Sequence, residues 1–346
     1  MEHDIADSCR SVAAADGANK QAAAGRSFRP LPLFSNCHAQ TIAAMFWPQR
    51  GEWFPSTHQL IDLPDGDRIA IVVSTPPEWR AGGRTVVLVH GLCGCHGSPY
   101  MVRLAGKLFA RGMRAVRVNQ RGCGSGVGQA RWPYHSGRSD DVRMVLAWLA
   151  REEPPSPITL AGFSLGGNVV LKLAGEDGGR PTAGLDSLIA VSAPIDLDAC
   201  ATLIEQPRNR IYDAYFVRRL LGDARERQQF FPDLPPLDFP PRLKIRGFDD
   251  RYTAPRSGYR DAEDYYARCS SGPLVPRIVV PTLLLTSRDD PFIATEPFEA
   301  LPPQSNVELC LTERGGHLGF LGATERAGDG RWMDEMLLDW ISRFAS

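Results

Sequence analysis

Short apolar runs of strand length alternate along the chain with stretches whose apolar residues fall at helical spacing, and turn residues separate the two. Thr85 to His90, Met113 to Asn119, Ile158 to Phe163, Ser187 to Ser192, Thr282 to Thr286 and Val307 to Leu311 read as strands. Pro99 to Arg111, Asp140 to Arg151 and Leu165 to Ala174 read as helices set between them. That alternation is the rhythm of a parallel sheet. The helix from Asp140 opens on Ser139, Asp140 and Asp141, which suit a cap and the helix dipole, and Val142, Val145, Leu146 and Leu149 share one of its faces. Ahead of these elements, Gln59 to Leu63 and Arg68 to Ser74 flank Pro64-Asp65-Gly66-Asp67, the composition of a hairpin turn, which predicts an antiparallel edge. At the other end, Trp332, Met333, Met336, Leu337, Trp340, Ile341 and Phe344 recur at helical spacing and read as core packing.

The rhythm stops at Pro194. Between about 195 and 276 the chain carries helix-like pieces at Ile211 to Leu221 and Arg260 to Cys269 and a proline-rich stretch from Phe231 to Pro241. This reads as a helical cap inserted over the sheet. Residues 1 to 27 are rich in Ala, Gly, Ser and Asp and reach no aromatic residue before Phe28, so a disordered tail is expected. From Phe28 to Pro55, Phe34, Ile42, Met45, Phe46, Trp47, Trp53 and Phe54 predict a segment laid against the main body. The expected organisation is therefore a tail over 1–27 and one α/β domain over 28–346, with the cap at about 195–276.

Composition narrows the partners. In 346 residues, 39 basic side chains almost cancel 40 acidic ones, so no global positive field gathers phosphates and nucleic acid is not expected. With 43% hydrophobic and 23% charged residues, wholesale disorder is excluded. No apolar run approaches the roughly 20 residues that span a bilayer, and Met1-Glu2-His3-Asp4 carries the wrong charge for a signal sequence, so a cytoplasmic protein is expected. The eight cysteines include no Cys-x-x-Cys pair and read as buried or free thiols.

Candidate chemistry centres on Gly162-Phe163-Ser164-Leu165-Gly166, a G-x-S-x-G motif where a β-rich run gives way to a helix. A serine on so tight a turn needs small residues two before and two after it, and Gly162 and Gly166 meet that demand. Its hydroxyl needs a base and an orienting carboxylate later in the chain. Of seven histidines only His317, in Gly315-Gly316-His317, follows the serine, and it is the expected base. For the acid, Arg288-Asp289-Asp290-Pro291 follows a strand; Asp289 is preferred because it lies three residues after Thr286, taken as the strand's small last residue, and Asp290 is the alternative. The oxyanion donors are expected at the backbone N–H groups of Leu165 and Leu92, with Cys93 next in line, and His90 is read as holding that loop. Neither a metal nor a dinucleotide cofactor is expected: the ligands of Cys93-Gly94-Cys95-His96 stand too close for ordinary zinc spacing, and Gly122 to Gly128 fits no register of G-x-G-x-x-G.

On further segments the chain resembles the YheT-like branch of the α/β-hydrolase superfamily, related to eukaryotic α/β-hydrolase-domain lipases and alcohol acyltransferases. The likeness rests on Asn36 to Thr41, His90-Gly91-Leu92 through Tyr100, Asn119 to Cys123, Tyr134 to Gly137, Gly162 to Asn168, Val191 to Pro194, Phe248-Asp249-Asp250 with Tyr265-Tyr266, Asp289 to Phe292, and Gly315 to His317. It implies an α/β-hydrolase fold with Ser164 as nucleophile, His317 as base and Asp289 as acid. It also implies esterase or lipase chemistry on small-molecule esters or lipids, often with short- or medium-chain acyl groups. An alcohol acyltransferase would use the same residues, and a non-catalytic binding protein on the same fold is the reading from another class.

Overall fold

The computed structural model describes residues 28–47, 53–151, 154–324 and 328–344; the tail expected over 1–27 lies outside them. In chain order the elements are α1 (Cys37–Phe46), β1 (Thr57–Asp62), β2 (Arg68–Ser74), β3 (Thr85–Val89), α2 (Pro99–Phe109), β4 (Arg114–Asn119), α3 (Ser139–Leu149), β5 (Ile158–Phe163), α4 (Leu165–Asp177) and β6 (Leu185–Val191). There follow α5 (Leu197–Ile204), α6 (Arg210–Phe230), α7 (Ala262–Cys269), β7 (Thr282–Ser287), β8 (Val307–Thr312) and α8 (Trp332–Ser342), with shorter helical turns among them.

The strands form one sheet in the order β1-β2-β4-β3-β5-β6-β7-β8. β1 and β2 pair as the expected hairpin, from Thr57 opposite Val73 to Asp62 opposite Arg68, and β2 runs antiparallel to β4. From β4 onward every pairing is parallel. Every residue of β3, β4, β5 and β7 is buried, because helices cover both faces, and apolar residues dominate β3, β5 and β7, whereas β4 also buries Arg114, Arg117 and Asn119. Side chains alternate between the faces. Val87, Val89, Val116, Leu160, Leu188 and Leu284 pack with Leu146 of α3 and Val169 and Leu173 of α4. Val86, Leu88, Ala161, Ile189, Leu283 and Leu285 pack with Leu104 and Leu108 of α2 and Leu337 and Ile341 of α8.

Two element boundaries differ from the expectation in instructive ways. Ser139 is the first residue of α3 rather than its cap; Arg138 stands at the cap position, and Ser139 Oγ donates to Glu176 Oε2 at 2.6 Å. The helix expected over Ile211 to Leu221 runs on to Phe230, because its second half is solvated and polar and so shows no apolar stripe; there only Ala224 and Arg227 are buried. Between β6 and β7 the described chain is helical or irregular throughout, with no strand, and α5, α6 and α7 lie in that stretch.

Candidate active site

Ser164 sits between β5 and α4 with φ 51° and ψ −125°, a left-handed backbone that a serine rarely adopts. The two flanking glycines make this turn possible. A Cβ on Gly162 would stand 2.3 Å from Gly166 O, and one on Gly166 would stand 2.4 Å from Val89 O. Any side chain at either place would push the helix off the sheet. The turn leaves Ser164 Oγ above the carboxyl ends of the parallel strands, where ligands bind in open α/β sheets.

His317 meets it there. Its Nε2 is 3.0 Å from Ser164 Oγ, and its Nδ1 is 2.9 Å from Asp290 Oδ2 and 3.2 Å from Asp290 Oδ1. Because a carboxylate only accepts, Nδ1 carries the proton and Nε2 faces the serine as a free acceptor. The Asp290 side chain has no solvent exposure, and its Oδ1 also accepts from the N–H groups of Phe292 and Ile293 at 2.9 and 3.2 Å. The expectation of Asp289 is therefore corrected: Asp289 does not reach the imidazole but accepts from Gly316 N–H at 2.9 Å, holding the loop that carries His317. The reason is one residue of strand. β7 continues through Ser287, which pairs with Thr312 of β8, so the acid three residues past the strand's small last residue is Asp290.

The loop after β3 abuts the serine so closely that a Cβ on Gly91 would come within 2.9 Å of Ser164 Cβ. Two tyrosines, half-buried Tyr100 and buried Tyr134, hold this loop from either side: Gly91 N–H donates to Tyr100 Oη at 2.9 Å and Cys93 N–H donates to Tyr134 Oη at 2.9 Å. Cys93 N–H is thus occupied, and Leu92 lies between the two pinned amides. Leu165, as the first residue of α4, has no intrahelical acceptor for its own N–H. His90 is wholly buried and accepts from Gln120 N–H at Nε2, so its Nδ1–H donates to Gly91 O at 2.8 Å. Burial pushes its pKa down to about 4. Cys93 and Cys95 are free thiols, and burial pushes the Cys93 thiol up to about 12. Among the described residues, no three His, Cys, Asp or Glu side chains gather as metal ligands would.

Several supporting residues lie in segments that carry the family likeness, Asn36 to Thr41 and Asn119 to Cys123, yet were given no role by the sequence. Thr41 of α1 accepts from His317 N–H at 2.9 Å, and Gln40, fully buried, bonds to the backbone of Phe34 and Leu321. The segment expected to lie against the body thus clamps the histidine loop. Its signal was a Gln and a Thr on the inward side of a helix that is apolar apart from these two and His38. Arg121, from the turn after β4, is buried against three carboxylates: Asp141 at 2.7 Å, Asp67 at 2.7 Å and Asp65 at 2.6 Å. It ties the hairpin turn to α3.

Two cavities meet at Ser164 and His317. One, of about 100 Å³, runs beneath α5 and α6, walled by Leu165, Leu197, Ile204, Leu220 and Ile293 and ending at Asp249 and Tyr266. The other, of about 410 Å³, lies on the α1 side and is bounded by Leu92, Tyr100, Tyr212, Phe216, Phe292 and Leu318. A larger groove, about 1320 Å³, is lined by groups such as Asp196, Arg246 and Asp261 and touches none of Ser164, Asp290 and His317.

Residues 86–329 match the model of the alpha/beta hydrolase family. The chain belongs to that family. It is 36% identical over 324 residues to "Putative esterase YheT" of Escherichia coli (strain K12), covering 92% of this chain and 93% of the relative. Similarity to human "Phospholipase ABHD3" is 29% over 241 residues, which span 68% of this chain and 58% of that one. Among solved structures, the esterase Pf2001 of Pyrococcus furiosus superposes with a TM-score of 0.56 at 17% identity over 87% of this chain and 97% of the other, a likeness of fold. The chain is a hydrolase of the esterase and lipase type. No helix among the described residues is long and apolar enough to cross a membrane.

Proposed function

We propose that the chain is a serine esterase that cleaves short- to medium-chain acyl esters or acylglycerols through an acyl-serine intermediate. The observation that carries this reading is the line Ser164 Oγ, His317, Asp290, closed at 3.0 and 2.9 Å on a strained turn. Ser164 Oγ attacks the ester carbonyl carbon while its proton passes to His317 Nε2, and Asp290 stabilises the imidazolium through Nδ1–H. The oxyanion is received by the N–H groups of Leu165 and Leu92. His317 then gives its proton to the departing alkoxide, the C–O bond breaks, and the acyl group stays on Ser164. Water, deprotonated by His317, releases the acid and restores the serine.

The two cavities divide the substrate. The smaller, largely apolar one beneath the cap helices suits the acyl chain, and the larger one suits the alcohol portion, its volume of about 410 Å³ lying within the usual range of roughly 300–1,000 Å³ for ligand sites. Likeness to a relative named as a phospholipase supports a glycerolipid alcohol portion. The same roomy cleft favours one second reading, transfer of the acyl group to an alcohol in place of water, which product analysis with added ethanol separates from hydrolysis.

The deciding experiment is fluorophosphonate labelling of the protein and its Ser164→Ala variant, followed by turnover of p-nitrophenyl esters from acetate to palmitate. Labelling that requires Ser164, with turnover greatest at short or medium chains, is expected. Retained ester turnover in Ser164→Ala rejects the mechanism, and a native chain that neither labels nor turns over ester returns the binding-protein reading.

A further inference from the structure

The larger cavity opens between α1 and α6, and its outer edge is apolar where water would favour polar groups. On α1 the exposed side chains are Ile42, Met45 and Phe46, at 48%, 53% and 79% exposure, and on α6 they are Ile211 and Tyr215, at 74% and 46%. Spacings of three and four place each set on one face of its helix. All ten residues of α1 are uncharged. His38 Nδ1 and Tyr212 Oη, 3.1 Å apart, link the two helices, so the two faces make one surface. Five large apolar side chains grouped around a catalytic opening mark an interaction surface.

The charges beside it identify the partner's chemistry. Arg208, Arg210 and Arg218 are exposed and make no ion pair among the described residues. Arg210 is the first residue of α6, where the positive end of the helix dipole already stands, so a cation there works against the helix and favours an anion outside it. An apolar face flanked by arginines is the arrangement of a helix pair lying in a membrane interface with anionic headgroups. A second copy of this chain would instead bring equivalent arginines to the same isologous contact, where like charges repel.

We propose that this surface seats the enzyme on an anionic lipid surface, with Phe46 and Ile211 among the acyl chains, Arg210 and Arg218 at the phosphates, and the cavity opening toward the lipid. This rests on the esterase reading only for what the seated enzyme then does. The test is sedimentation of the full chain, carrying Ser164→Ala so that no lipid is consumed, with vesicles of phosphatidylcholine alone or mixed with phosphatidylglycerol. Partitioning onto the mixed vesicles is expected, weakened by added salt, about tenfold or more by Phe46→Ser with Ile211→Ser, and about fivefold for each of Arg210→Glu and Arg218→Glu. If the serine pair lowers the melting temperature, the arginine pair carries the comparison, since those side chains lie outside the cavity. Absent partitioning, partitioning that both pairs leave unchanged, or a dimer that the same substitutions dissolve would each overturn the proposal. Turnover of a water-soluble p-nitrophenyl ester by the Ser164 chain with Arg210→Glu and Arg218→Glu is expected to match the native chain. Loss of turnover in the native chain itself would instead reject the esterase reading and leave the vesicle result standing.

Discussion

The adjacent carboxylates Asp289 and Asp290 have the same chemistry and opposite surroundings. Asp290 is closed off from solvent and aims both oxygens at His317, whereas Asp289 is half-buried and serves Gly316 N–H. Burial raises the Asp289 pKa above the usual carboxylate value, and its backbone hydrogen bond only partly offsets that. Asp290→Asn would present an amide that can hold the wrong imidazole tautomer, so kcat is expected to fall by about 10³ to 10⁴, the scale of such a change in a Ser-His-Asp triad. Asp289→Asn keeps an acceptor for Gly316 and is expected to cost less than about tenfold, since it touches no reacting atom. Steady-state kinetics on one p-nitrophenyl ester decides between them, and equal losses in the two variants would remove the distinction drawn from the geometry.

At the level of elements, the loop after β3 is held by Tyr100 of α2, which directly follows it, and by Tyr134 from a more distant turn. Tyr134 Oη accepts from Cys93 N–H, one residue past Leu92. Tyr134→Phe removes that acceptor and leaves the amide unpaired. If Leu92 N–H receives the oxyanion, kcat is expected to fall about tenfold with KM nearly constant, less than the 10² to 10³ for losing a direct donor. A change confined to KM would mean the tyrosine shapes the pocket rather than the loop. A second junction is Arg121, whose guanidinium joins Asp65 and Asp67 of the hairpin turn to Asp141 of α3. The turn residues Pro64 to Asp67 announced a hairpin but not this partner, because Arg121 lies far along the chain. Arg121→Met strands buried carboxylates and is expected to cost roughly 3–5 kcal/mol in chemical denaturation; a loss below about 1 kcal/mol would show the cluster to be open to water.

For the whole molecule, burial of neutral histidines links stability to pH. His90 titrates at about 4 in the folded chain through burial, against about 6.5 when unfolded, and burial likewise holds His135 well below the usual value. Above pH 6.5 both states are neutral and nothing is gained or lost. As pH falls from 6.5 toward 4 the unfolded chain takes up protons that the folded chain refuses, so stability drops, by roughly 3 kcal/mol from His90 alone. Urea midpoints measured across that window should decline, and a flat profile would contradict the burial.

The elements of the sheet, the serine turn and His317 were legible in the sequence because pattern, motif and chain order mark them. Apolar runs mark strands covered on both faces, Gly162 and Gly166 are demanded by contacts under 2.5 Å, and chain order leaves a single histidine after the serine. Other features depend on which strands and loops become neighbours. The choice of Asp290 turns on one more residue of β7 pairing with β8. The clamp of Thr41 on the histidine loop, the hold of Tyr134 on the loop after β3 and the apolar rim shared by α1 and α6 join residues far apart in sequence. Periodicity reports which face of an element is buried but not what covers it, so those partnerships arise only when the chain closes on itself.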